Sequence, residues 1–166
     1  MKRVLLGVAV VAVVAVVVAV ALVVTDNNPS TPSAAPLVSH AIKATPANMA
    51  QLKAAFLKFK LHYKNMTSTD RITWGVVLQP NGSKLPLIAY DAVDHRAWAI
   101  ASFNLVLPAS YKAEVSFQDG GNMGIFNKVG SGPWVMTGSP GFPLCAKDVP
   151  STVAHLWGLK NYPACN

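Results

Sequence analysis

The sequence predicts an α+β domain. An antiparallel sheet of about five strands carries an N-terminal and a short C-terminal helix on one face, and a transmembrane helix precedes it. Three observations predict this. Val4–Val24 holds only Val, Ala, Leu and Gly. Met49, Leu52, Phe56, Phe59 and Tyr63 recur at spacings of three and four, the period of a helix with one apolar stripe. From Ile72 to Thr137, short β-branched and aromatic runs alternate with Gly, Pro, Asn and Asp clusters, the pattern of strands and turns.

The apolar run comes first. Its 21 residues carry no charge. At about 1.5 Å of rise per residue they reach roughly 31 Å as a helix, enough to cross a bilayer core. Lys2 and Arg3 precede the run, and basic flanks stay on the cytoplasmic side. The prediction is a single-pass cell-membrane protein with residues 45–166 outside the cytoplasm. The alternative is a signal peptide cut after Ala19-Val20-Ala21, which would release a secreted domain. The run exceeds the usual signal-peptide core, which favours the anchor. Residues 25–44 are interrupted by Pro29, Pro32 and Pro36 and read as a flexible linker.

Thr45-Pro46 is a helix start, with Thr45 as N-cap and Pro46 at the first helical position. Lys53, Lys60 and Lys64 fall together off the apolar stripe and read as a solvated face. Ile72–Gln79 reads as a strand, and Pro80-Asn81-Gly82-Ser83 as a turn. Leu85–Tyr90 and Ala97–Phe103 form a hairpin around Asp91–Arg96. Trp98 and Ile100 alternate with Ala97, Ala99 and Ala101, so one strand face is small enough for a helix to approach closely. Leu107–Phe117 admits two readings: Pro108 opens a short helix, or, as Val115 and Phe117 alternating with Glu114 and Ser116 favour, a crossing is followed by a strand. Gly124–Val129 and Trp134–Thr137 form a second hairpin, and a short helix begins near Pro150 and closes at Gly158.

Composition bounds the partners. Without Lys2 and Arg3, 12 of the 14 basic residues remain against 7 acidic ones, a net charge of +5. That balance favours anionic surfaces. No helix-turn-helix, zinc-finger or RNA-recognition pattern appears, so nucleic acid is excluded as a partner. Cys145 and Cys165 are the two cysteines. In an oxidising compartment they pair as a disulfide closing a loop of about 20 residues, which adds about 3 kcal/mol. No second Cys or His stands at a zinc-ligand spacing.

The run Phe117–Asn122, with Gly124-Ile125-Phe126, Gly132-Pro133-Trp134, Cys145, Val149-Pro150 and Trp157-Gly158-Leu159, resembles uncharacterised exported or membrane-anchored proteins of actinobacteria. The likeness covers roughly residues 90–165. It rests on turn glycines, tryptophans and a C-terminal disulfide, and implies an extracytoplasmic place but no activity. In that setting Asn65-Met66-Thr67 and Asn81-Gly82-Ser83 are turns rather than glycosylation sites.

Candidate chemistry is sparse. His40, His62, His95 and His155 show no i, i+4 zinc spacing. His95 is the best-placed base, with Asp91 and Asp94 near it and Ser102 as an imagined nucleophile, yet no G-x-S-x-G elbow supports such a set. Asp119-Gly120-Gly121-Asn122 offers one carboxylate, too few for calcium, and reads as a turn. Trp74, Trp98, Trp134 and Trp157 read as core residues before sugar-stacking ones. No catalytic, cofactor or metal residues are assigned. The expected function is a non-catalytic envelope module that binds a protein, a lipid surface or a wall polymer. A small hydrolase or a protease inhibitor is the alternative.

Overall fold

The computed structural model describes residues 37–62, 65–78, 82, 84–140, 144 and 147–159. The Val4–Val24 segment, residues 25–36 of the linker, and Cys145 and Cys165 lie outside the described residues. So do Tyr63 and Lys64 of the first helix's expected pattern. Among the described residues no helix is long and apolar enough to cross a membrane.

The domain is α+β, with six antiparallel strands and three helices among the described residues. Helix α1 spans Pro46–His62. The Asn48 N–H donates to Thr45 Oγ1 at 3.2 Å, and the Met49 N–H to the Thr45 carbonyl at 2.9 Å. Thr45 therefore caps the helix and Pro46 opens it, as the sequence predicts. Leu52 and Phe56 of the stripe are fully buried.

Strand β1, His40–Ile42, pairs with β3, Leu87–Asp91, in register His40↔Tyr90. Strand β1 thus falls inside the stretch 25–44 read as linker. Ser39 explains this strand's place. Its hydroxyl donates to Asp91 Oδ1 at 3.1 Å and accepts from the Ala92 N–H at 2.9 Å, pinning the incoming chain to the end of β3.

Strand β4, Arg96–Val106, is the spine. Its first half pairs with β3, from Asp91↔Arg96 to Leu87↔Ile100. Its last four residues pair with β2, Arg71–Trp74, on the same side. On the other side runs β5, Met123–Val129, followed by β6, Val135–Gly138. Strand order is β1-β3-β4-β5-β6 with β2 beside the end of β4. Both expected hairpins are present. Strand β2 stops at Trp74, short of the expected Gln79. Beyond it, Gly75 approaches Ser102 too closely for any side chain, a Cβ there lying 2.6 Å from Ser102 Oγ.

The alternation along β4 sets the layers. Ala97, Ala99, Ala101 and Phe103 pack with Ile88, Phe126, Met136 and the α1 residues Leu52 and Phe56. Helix α1 packs over this alanine face, and its backbone comes nearest β6. Ile100 packs the other way, with Ala89, Met123, Ile125 and the residues Val153, Ala154 and Trp157. Helix α3, Ser151–Leu156, therefore lies on the face opposite α1, not on the same face. The physical reason is in the strands: β3, β4 and β5 are apolar on both faces, and each face needs a cover. Gly158, at φ +76°, ends α3. The Gly158 and Leu159 N–H groups reach back to the His155 and Ala154 carbonyls at 2.9 and 3.0 Å, the αL-glycine closure the sequence predicts.

Residues 107–117 correct the expectation of a strand. Tyr111–Ser116 is helix α2. Ser110 is its N-cap, accepting from the Ala113 N–H at 3.2 Å. Asp70 fixes that cap in turn, accepting from the Ser110 N–H at 2.8 Å and from Ser110 Oγ at 2.7 Å. The alternation of Val115 and Phe117 is overridden by a partner 40 residues away.

Candidate functional site: a groove between α1 and β6

Ala54, Leu57, Lys58, Leu61 and His62 stand at i, i+3, i+4, i+7 and i+8 of α1, a second helix face beside the buried stripe. With Ser131–Thr137 they line an open groove of about 1340 Å³, larger than ordinary small-molecule pockets. Leu61 is 42% exposed, so apolar surface of α1 faces solvent along the groove. The lining holds Lys58 and His62 but no Asp or Glu. Lys128 stands beside it, its Nζ 5.0 Å from the centroid of the Trp134 ring. Trp134 is buried, and its indole N–H has no acceptor among the described residues.

The groove borders β6, the last strand in the order, whose outer side meets no strand among the described residues. Met136 points inward and is buried, while Val135 and Thr137 are exposed. Sequence reasoning missed this site. Leu57 and Leu61, apolar positions off the main stripe, were the signal that could have found it.

The residues singled out for catalysis do not converge. His95 is exposed, at φ +56° in the β3–β4 turn. Its Nδ1 stands 3.5 Å from Tyr90 Oη. The neighbouring carboxylates are occupied with the turn. Asp91 is buried and accepts from Ser39 and from the Val93 N–H at 3.2 Å. Asp94 accepts from the Arg96 N–H and from Trp98 Nε1, both at 2.9 Å. Ser102 is fully buried, six residues beyond Arg96 along β4, or roughly 20 Å. It cannot meet His95. His40 stacks at 5.6 Å against Tyr90, and His155 is exposed on α3.

Among the described residues no group of three or more His, Cys, Asp or Glu could hold a metal ion. Asp119 and Gly120 adopt φ +50° and +85°, and the Gly121 N–H closes onto the Gln118 carbonyl at 2.9 Å. That is the turn the sequence predicts. The tryptophans are structural: Trp74 packs on Phe103 at 4.8 Å, Trp98 holds Asp94, and Trp134 and Trp157 are buried.

One expectation about charge fails. Lys60 is 3% exposed, not on a solvated face. Its Nζ donates to the Ser116 carbonyl at 3.0 Å and lies over the Phe56 and Phe117 rings at 5.5 and 5.8 Å. Burial lowers its pKa from the ordinary lysine value. The carbonyl at the C-terminal end of α2 and two aromatic faces replace water around the cation. Asp70 holds the other end of α2. The backbone N–H of Thr67 at 2.7 Å and that of Ser110 lower its pKa to about 2.

No protein-family model, curated protein or solved structure matches this chain.

Proposed function

We propose that this chain is a membrane-anchored, extracytoplasmic, non-catalytic module that binds its ligand in the α1–β6 groove. The groove carries this reading. It sets the exposed Leu61 and half-buried Leu57 of α1 beside β6, with Lys58 in the lining and Lys128 next to it. Exposed apolar surface of this kind marks binding sites. The anchor rests on the length of Val4–Val24 and its basic flank. A Cys145–Cys165 disulfide suits that compartment.

The test is a photo-crosslinking residue at Val135 on the β6 edge, with a control at His155 on α3, outside the groove lining. In the native envelope the Val135 probe should capture a ligand whose mass identifies it as peptide, lipid or glycan. Equal capture from both positions, or none from Val135, removes the groove reading. The membrane fraction should retain the protein after a carbonate wash, and thiol titration of the native protein should find no free cysteine.

A further inference from the structure

We infer that the groove's ligand is an extended, acidic segment of another protein, which adds to the sheet as a strand beside β6. The inference rests on the binding reading above and gives it a partner and a mode.

Strand β6 ends the strand order, so its outer backbone groups face no strand among the described residues. Proteins usually blunt such edges with charge or proline. Val135-Met136-Thr137-Gly138 contains neither. The other edge strands differ: β1 is three residues long, and β2 opens with Arg71. An uncharged edge next to an apolar groove fits strand addition, in which backbone hydrogen bonds supply affinity and alternate side chains supply specificity. Four residues of β6 run about 13 Å, and Gln51–His62 of α1 about 18 Å, so the groove takes four or five extended residues. Every second side chain of that segment would lie on the α1 side of the sheet, against Leu57 and Leu61.

Charge selects the partner. Lys58 lines the groove, Lys128 stands beside it over Trp134, and the lining has no carboxylate. An acidic segment is attracted there. A second copy of this chain, itself net basic, would bring Lys58 and Lys128 against their own kind.

The test uses the full chain in detergent micelles and a blocked hexapeptide of alternating Val and Glu as probe. Binding is read from tryptophan emission and from amide shifts in β6. The peptide should bind with Kd below about 1 mM and weaken as salt rises. Its Lys–Val counterpart should bind at least about tenfold more weakly, and Lys58→Glu should reverse the preference. Two N-methylated versions decide the mode. Methylation of the Val nitrogens blocks one edge of the peptide strand, and methylation of the Glu nitrogens blocks the other. One version should lose about tenfold or more and the other should bind as the parent does. Equal binding by both, indifference to peptide charge, or no response at about 1 mM overturns the inference. So does displacement of the peptide by phosphatidylglycerol vesicles but not by phosphatidylcholine vesicles, which assigns the groove to lipid. Peptide-independent dimerisation lost in Lys-to-Glu variants also overturns it. A glycan or lipid crosslinked at Val135 would leave the groove reading standing and remove only this one; an empty Val135 probe removes both.

Discussion

The two faces of the sheet are covered by helices of unequal length, and the longer helix leaves more apolar surface open. On one face the six-residue α3 fills its area with Val153, Ala154 and Trp157, helped by Leu144 and Val149. On the other, the 17-residue α1 packs Leu52 and Phe56 onto alanines and aromatics. Its second face overhangs β6 and contacts no element that covers it among the described residues. The first arrangement is a closed core. The second combines a core with a groove and includes a polar clamp around α2. Covering a sheet and presenting a site are thus separate tasks, and α1 does both because it has two apolar faces rather than one.

The largest expected effect tests the core of the α1 face. Phe56 is fully buried, 4.2 Å from the Phe103 ring and 5.8 Å from the Phe117 ring. Phe56→Ala should cost about 3–5 kcal/mol in urea unfolding, against about 2 kcal/mol for Val153→Ala on the α3 face. Equal losses would mean that the aromatic cluster is no more central than the aliphatic one.

Gly121→Ala comes next. A Cβ at Gly121 would collide with the Ser116 carbonyl, the same oxygen that accepts from Lys60. The side chain therefore strikes the C-terminal end of α2 and its clamp together, and the expected loss is about 3 kcal/mol. Gly138→Ala is the control, since a Cβ there meets nothing within 4 Å. If the two variants unfold alike, α2 is not a fixed part of this face.

Much of this was legible in the sequence, and what was missed has a common cause. The capped helix at Thr45-Pro46, both hairpins, the alanine face of β4 and the closure at Gly158 each follow from a local pattern. Helix α2 does not, because Asp70 and Lys60 hold its ends from 40 and 56 positions away in the chain. Lys60 was assigned to solvent by its spacing, and only the Phe56–Phe117–Ser116 surroundings show why burial is tolerated. The placement of α3 opposite α1 needed the knowledge that β3, β4 and β5 are apolar on both sides. The groove needed β6 to be an edge, which is a property of topology.

The N-terminal end of the α2 clamp is open to a pH test. Asp70 is depressed from 3.8 to about 2 in the folded chain. A depressed carboxyl stabilises the fold fully above its unfolded value and loses that contribution as pH falls through the folded one. Stability should therefore drop between about pH 5 and pH 2. Asp70→Ala should flatten that part of the profile and cost about 2 kcal/mol at neutral pH, where Ser110 and Thr67 lose an acceptor. A variant with an unchanged acid limb would show that Asp70 is not the group being titrated.

The smallest expected effect belongs to His95, the residue that a catalytic reading would favour most. Its ring stands 3.5 Å from Tyr90 Oη, a distance at which a hydrogen bond is weak. Both carboxylates near it in the turn are hydrogen-bonded elsewhere, Asp91 to Ser39 and Asp94 to Trp98. The turn is therefore held by its aspartates. His95 occupies a left-handed position at φ +56°, which His tolerates better than most side chains, so the exchange for Ala adds a little backbone strain. His95→Ala should shift stability by less than about 0.5 kcal/mol and leave groove binding as it was. Asp94→Ala, which frees the Arg96 N–H and Trp98 Nε1, should cost more, about 1 kcal/mol. If an activity is found and His95→Ala lowers its turnover about a hundredfold, as loss of a general base does, the histidine is catalytic after all. The functional half of the comparison between the faces would then move from the groove to the β3–β4 turn.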